Sequence, residues 1–429
     1  MEDLQSIGKN TIEKLRELGA DKSQVVINFS EMDELTYEND DFTLFRSIDD
    51  ARVSITVLKD HKKGSISINK LSDDELEEAC KKVMEIASSG KADEAFDIAE
   101  KAEAKVFDSG PLKADLDNMH TLLNGLVTNC HERYPTVHIR TGVTSFTNNK
   151  SLFLNSNGVN FETRKGYYSL NTVFCAQKDG KTSSMNYEGI SFQNIPKRAI
   201  EAGIFDMLFS QTSEQLDCQK IKETFKGKII LTPACFGNFL SMYFEHLRST
   251  RIISDTSKLY GKLGEKIASE QLTVKSLPCS DKFEIPSFIT GEGNEMRDMT
   301  ILDKGVLENY LMGIYGANKS GHDKVTNFDS RIYIEPGKED LEKMISHIDH
   351  GILVSRFSGG RPSTSGEFSG IAKNSYLIEN GKITTPLHET MISGNLFSLF
   401  ENIWGVSSNT YESGTSIIPW VGSEGVTVS

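Results

Sequence analysis

The sequence predicts an α+β fold. Apolar residues alternate with period two in both halves of the chain, which marks strands. Stretches of helical spacing are interspersed with these strands but never in a regular β-α-β order. Pairs such as Asn157-Gly158 and Asn380-Gly381 mark the tight turns of antiparallel hairpins. A doubly wound parallel sheet would need the alternation that is missing here.

Leu4, Ile7, Thr11, Leu15 and Leu18 recur at helical spacing, and Gly19 stops that helix. Residues 25–29, 42–47, 51–59 and 64–69 read as strands of an antiparallel meander, with Asp49-Asp50 as the turn between the second and third. Ser72 followed by Glu75 has the spacing of a capping box. It opens a helix that buries Leu76, Ala79, Cys80, Val83 and Ile86-Ala87. A second helix over 112–134 carries Leu116, Met119, Leu122-Leu123, Leu126-Val127 and Cys130 on one face and ends at Pro135.

Strands follow at 137–144, 150–155, 159–164 and 167–176, separated by Asn-Asn, Asn-Gly and Lys-Gly signals. A helix spans 196–209, and the polar stretch 211–219 reads as a linker. The second half opens with a strand at 228–231 and an apolar helix over 236–247. A hairpin of 299–302 with 306–314 turns at Asp303-Lys304-Gly305. A strand at 331–335 and a helix over 341–350, closed by Gly351, come next. Strands at 352–356, 375–379 and 382–386, a helix over 391–405 and a last strand at 425–429 complete the chain.

A chain of 429 residues allows two or three domains at roughly 150 residues each. With 38% hydrophobic and 25% charged residues it is expected to be globular and not disordered. The net charge of -14 argues against a chain built to grip nucleic acid or an anionic membrane. Nor is there a basic helix or a run of aromatic residues interleaved with Lys or Arg. The acidic start lacks the basic and apolar regions of a signal peptide. The most apolar stretch, 229–244, is interrupted by Pro233, Gly237 and Asn238 and is too short for a bilayer. The six cysteines are scattered with no C-x-x-C pair, which predicts free thiols in a reducing cytoplasm.

Standard motifs fail on inspection. Gly180-Lys181-Thr182 ends like a phosphate loop, but Cys175 holds the position of its first glycine. Gly291-Glu292-Gly293 begins like a dinucleotide loop, but Met296 replaces its third glycine. There is no G-x-S-x-G elbow. Cys130-His131 with His138, and His347 with His350, have partial metal-ligand spacing. A helix end and a solvated helix face explain them more simply.

A more specific set lies in the second half. Pro233-Ala234-Cys235-Phe236-Gly237 leads into a helix. Then come Gly261-Lys262-Leu263-Gly264-Glu265-Lys266-Ile267-Ala268-Ser269, Ile334-Glu335-Pro336-Gly337 and Ser365-Gly366-Glu367-Phe368-Ser369-Gly370. Leu377-Ile378-Glu379-Asn380-Gly381-Lys382-Ile383 and Ser393-Gly394-Asn395-Leu396 follow. The first half adds Leu154-Asn155-Ser156-Asn157-Gly158. In this order they resemble the TldD/PmbA family, once called modulators of DNA gyrase, over nearly the whole chain.

The resemblance implies an N-terminal α/β region with an antiparallel sheet and long helices over 1–200, and a C-terminal β-rich domain over 220–429. It also implies a cytoplasmic protein among metallopeptidases that trim or degrade unfolded peptides, as in microcin maturation. In such families TldD-type chains carry H-E-x-x-x-H on this helix and a C-terminal cysteine as third zinc ligand. TldE-type chains, also called PmbA, lack the full motif and pair with TldD.

Here the matching residues are Ser241-Met242-Tyr243-Phe244-Glu245-His246. Ser241 stands for the first histidine, Met242 for the glutamate, and only His246 remains. A serine hydroxyl is a poor zinc ligand beside imidazole or thiolate. Met242 cannot take a proton from zinc-bound water. No cysteine follows Cys279, and the tail over 411–416 offers only hydroxyls and Glu412. Glu245 with His246 is the weak substitute metal site, with Asp255 and Glu265 further along. Phe236, Phe239-Leu240, Tyr243-Phe244 and Leu247 still form a buried stripe.

The expected function is a TldE/PmbA-like subunit with no catalytic, cofactor-binding or metal-binding residues of its own. It would complete a heterodimeric peptidase with a TldD-type partner that holds the zinc, and form a homodimer when alone. No nucleic acid or membrane partner is expected. The alternatives are an independent hydrolase with a rebuilt site and a non-enzymatic peptide-binding homodimer.

Overall fold

The computed structural model describes residues 2–325, 327 and 330–429. It has an α+β fold organised on two sheets. The first is fed by β1 (Lys22–Glu38), β2 (Asp41–Lys59), β3 (Lys62–Ile68), β4 (Lys105–Ser109), β5 (Val137–Asn155), β6 (Asn160–Lys178), β7 (Lys181–Thr182) and β8 (Asn186–Phe192). Its order is β3-β2-β1-β5-β6-β4, with β7 and β8 also paired to β6. Helices α1 (Glu2–Glu17), α2 (Asp73–Ser89), α3 (Leu116–Arg133) and α4 (Phe205–Glu214) pack against it.

The long hairpin of β1 and β2 turns at Asn39-Asp40, both with positive φ (53° and 64°), the backbone a type I′ turn needs. Asp49-Asp50, expected to turn, lie in mid-strand opposite Glu31 and Ser30. On this exposed part of the sheet neither face is dry, so the polar pair mimics a loop. Ser72 does start α2, but its hydroxyl makes no cap bond, and Glu75 pairs with Lys70 at 2.7 Å. Met84 takes the inward place expected of Ile86, which is exposed.

β5 and β6 are unbroken where Asn148-Asn149 and Lys165-Gly166 suggested turns. Asn148 is buried, and its amide donates to Glu31 at 2.8 Å. Gly166 is needed for close approach, because a Cβ there would lie 1.6 Å from the Pro111 carbonyl oxygen. Asn157-Gly158 does turn the chain, with Gly158 at φ 101°. β4, parallel to β6, lay outside every expected strand.

The expected linker over 211–219 is largely α4 and the turn that follows it. Thr212 and Gln215 are buried. Gln215 donates to the Ser375 carbonyl at 3.2 Å, and the Tyr376 hydroxyl donates to the Gln211 carbonyl at 3.1 Å. The segment is polar because it joins the two sheets through hydrogen bonds.

The second sheet contains β9 (Phe225–Leu231), β10 (Val274–Ser276), β11 (Met299–Asp303), β12 (Val306–Leu307), β13 (Ile332–Ile334), β14 (His350–Val354) and β15 (Arg356–Gly359). It continues with β16 (Glu367–Lys373), β17 (Ser375–Glu379), β18 (Lys382–Leu387), β19 (Thr390–Asn395), β20 (Ile403–Glu412) and β21 (Ser416–Val428). The path β12-β11-β10-β13-β21-β9-β14-β17-β18 runs through the long β21, which also pairs with β19 and β20. The helices here are α5 (Pro233–Phe244), α6 (Ser249–Ile253), α7 (Ile314–Ser320), α8 (Leu341–Ser346) and α9 (Leu396–Glu401).

Three expectations change in this half. The strand expected over 306–314 is only β12, and α7 begins at Ile314. The helix expected over 391–405 is β19, the short α9 and the start of β20. Asn395 accounts for that switch, since its side chain caps α9 by accepting from the N–H groups of Phe397 and Ser398. The helix expected over 341–350 stops at Ser346. Among the described residues, no helix is long and apolar enough to cross a membrane.

Candidate functional site

The site is built on α5. Thr232 caps it: its hydroxyl accepts from the Cys235 N–H at 3.3 Å and donates to the Ser355 carbonyl at 2.7 Å. Pro233 occupies the first turn, so the helix begins three residues before the expected 236. It runs to Phe244, and a 3-10 turn over Glu245–Leu247 continues it. One side is committed to the core. Phe236 meets Phe400 at 5.4 Å between ring centroids, and Phe239 lies 4.9 Å from Phe357 and 5.0 Å from Phe368. Tyr243 stacks on Phe400 at 4.1 Å and donates its hydroxyl proton to the Ile267 carbonyl at 2.7 Å.

The opposite side faces a pocket of about 170 Å³. Ser241, Met242, Glu245 and His246 all line it, together with Asn238, Arg251, Arg361 and Leu396. Ser241 is exposed and also borders a second pocket of about 330 Å³ on the other flank of the helix, beside Tyr411 and Ser416. Met242 packs half-buried against the core. The Glu245 carboxylate lies 3.2 Å from the Arg248 guanidinium.

His246 is buried. Its Nδ1 accepts from the Lys258 N–H at 3.4 Å, and its ring meets Phe397 edge-on at 4.9 Å. The Ser257 hydroxyl donates to its carbonyl at 2.6 Å. Burial pushes the imidazole down to about 4, and the nearby Arg251 charge adds to this.

These residues do not fit zinc. The position of the first ligand holds a neutral hydroxyl, and that of the base holds a thioether. Nδ1 of His246 is occupied by a backbone donor. Among the described residues, no three His, Cys, Asp or Glu side chains converge. Asp255 and Glu265 do not line the pocket; Glu265 pairs with Lys262 at 2.6 Å. The other sequence candidates are also apart. Cys130 is buried while His131 is exposed. His347 bonds Glu339 at 3.0 Å, whereas His350 opens β14 and packs on Phe225.

The tail docks the second sheet on the first. The Ser191 N–H donates to the Ser413 carbonyl at 3.0 Å, and the Tyr411 hydroxyl donates to the buried Glu188 carboxylate. Sequence reasoning missed this pair, because nothing local links residues so far apart. Burial raises the Glu188 carboxyl, against the lowering effect of the bonds from Tyr411 and Gly189. A carboxyl raised in the folded state contributes stability fully below about pH 4.5, and this is lost as pH rises through the folded value. Glu188→Gln is expected to remove that loss, so urea midpoints should favour the variant increasingly from pH 4.5 to 7. Tyr411→Phe is expected to cost about 1–3 kcal/mol in the same measurement, because it leaves a buried carboxylate with only the Gly189 N–H as donor.

Comparison with known proteins locates this architecture. The PmbA/TldA metallopeptidase C-terminal domain matches residues 224–429, and domain 1 of the same family matches residues 24–87. The chain belongs to the TldD/PmbA family. A metalloprotease of Methanocaldococcus jannaschii is 23% identical over 93% of this chain and 92% of its own length. A zinc metalloprotease TldD homologue of Saccharolobus solfataricus is 26% identical over 42% of this chain and 44% of its own. With two further curated relatives the match spans 59% and 42% of their lengths. The crystal structure of TldE from Thermococcus kodakarensis shares the fold, with a TM-score of 0.88 at 20% identity, covering 99% of this chain and 100% of that one.

Proposed function

We propose that this chain is a TldE/PmbA-type subunit that works in the cytoplasm without zinc of its own and completes a metallopeptidase with a TldD-type partner. The observation that carries the reading is the state of the motif helix. Its one remaining motif histidine, His246, is buried with Nδ1 engaged, while Tyr243 and the phenylalanines beside it keep the helix as a core element. A fold that retains the helix and not its chemistry suits a partner subunit. The substrate class is unfolded peptide, and the zinc and the general base belong to the partner. When the partner is absent the chain would pair with itself.

A sheet edge supports the peptide assignment. β3 pairs with β2 only from Val53 to Lys59, so residues 41–52 of β2 present backbone groups at an edge. An extended chain can add there through main-chain hydrogen bonds, with little dependence on side chains.

The test is a mixing assay on an unfolded peptide. The expected result is no cleavage by this chain with zinc supplied, and cleavage when a TldD-type chain from the same cell is added, with the two co-eluting. Stoichiometric zinc on this chain with cleavage in isolation would overturn the reading.

A further inference from the structure

The pocket beside α5 is locally cationic in a chain of net charge -14. Arg251 and Arg361 both line it, and no described side chain pairs with either guanidinium. Among the described residues the one carboxylate at the pocket is that of Glu245, and it faces Arg248. His246 is held neutral, so it adds no charge to either side of the balance. The pocket beside Ser241, Met242 and His246 therefore carries two guanidinium groups that pair with no carboxylate among the described residues. Such forks match a planar carboxylate, which can accept two parallel N–H bonds. Asn238 adds an exposed side-chain amide that no described group engages.

We propose that Arg251 and Arg361 bind the C-terminal carboxylate of a peptide, with Asn238 meeting its last amide. This deepens the peptide-subunit reading above and rests on it. A pocket of about 170 Å³ admits a chain end and not a folded segment. Ser241 lies between it and the larger neighbouring pocket, whose walls include Leu240, Phe244 and Ile418. The ligand class is thus a peptide with a free C-terminus and an apolar side chain close to it. The two pockets receive its charged end and its apolar side chain respectively.

Fluorescence anisotropy on the full chain alone tests this, with a short N-terminally labelled peptide ending in leucine, as free acid and as C-terminal amide. The free acid is expected to bind at least about tenfold more tightly. In Arg361→Gln and in Arg251→Gln the two forms should bind within about twofold of each other. Equal binding of acid and amide by the unsubstituted chain overturns the proposal, and needs no variant to fold. Inorganic phosphate that raises the melting temperature of the unsubstituted chain but not of Arg361→Gln, with no acid preference, also overturns it in favour of a phosphate site. Because the measurement uses this chain alone, loss of acid preference with intact cleavage by the mixed pair would sink the carboxylate site and leave the partner reading standing. The reverse pattern would sink the partner reading only.

Discussion

Tyr243→Ala is expected to cost about 3–5 kcal/mol of stability, the range for deleting a large buried aromatic side chain. Tyr243 is fully buried, stacks on Phe400 and satisfies the Ile267 carbonyl. The alanine variant leaves a cavity and also an unpaired carbonyl. Tyr243→Phe keeps the ring and loses only the hydrogen bond, so about 1–3 kcal/mol is expected. Urea unfolding at neutral pH measures both, and the midpoint should fall with an unchanged slope. A loss below about 1 kcal/mol for alanine would contradict the view that this helix is kept for its core face.

The second large effect concerns acid. His246 has its imidazole pushed from 6.5 down to about 4 by burial and by Arg251. A base depressed in the folded state stabilises fully above its unfolded value, and that contribution is lost as pH falls from about 6.5 toward 4. The unfolded chain binds the proton first, so protonation pulls the equilibrium toward unfolding. At 1.36 kcal/mol per unit, the loss should be at most about 3 kcal/mol. His246→Asn keeps an acceptor near the Lys258 N–H and does not titrate. Its stability relative to the unsubstituted chain should therefore rise steadily as pH falls through this window. Urea midpoints from pH 7 to 4 check this, and parallel curves for the two proteins would show that His246 does not titrate on unfolding.

Legibility differed with the kind of interaction. Apolar periodicity exposed the core stripes of α2, α3 and α5 because burial of one helix face imposes a spacing on the sequence itself. Two-residue turns were legible where asparagine and glycine carry positive φ, as at Asn380-Gly381. The same signals misled inside β5 and β6. There Asn148 is engaged by Glu31, and Gly166 is required by Pro111, partners distant in the chain. The polar segment around α4 misled for the same reason, since its hydrogen-bond partners are on the other sheet.

At the candidate site, the identities of Ser241 and Met242 and the lack of any cysteine after Cys279 were plain in the sequence. Ligand chemistry depends on atom types, which a sequence states directly. That His246 is buried, with Nδ1 on a backbone donor, could not be read there. Nor could the meeting of Arg251 and Arg361, more than a hundred residues apart, or the bond from Tyr411 to Glu188. The net charge of -14 leaves a local cationic pocket open and cannot locate one. By itself, then, the sequence determined the α+β class, the core-facing helix stripes and the degenerate motif, because each is a local pattern of residue types. The tertiary structure alone decided which groups share a pocket, which are neutral and which hold the two sheets together. Those properties come from burial and from long-range contacts, and no local pattern encodes either.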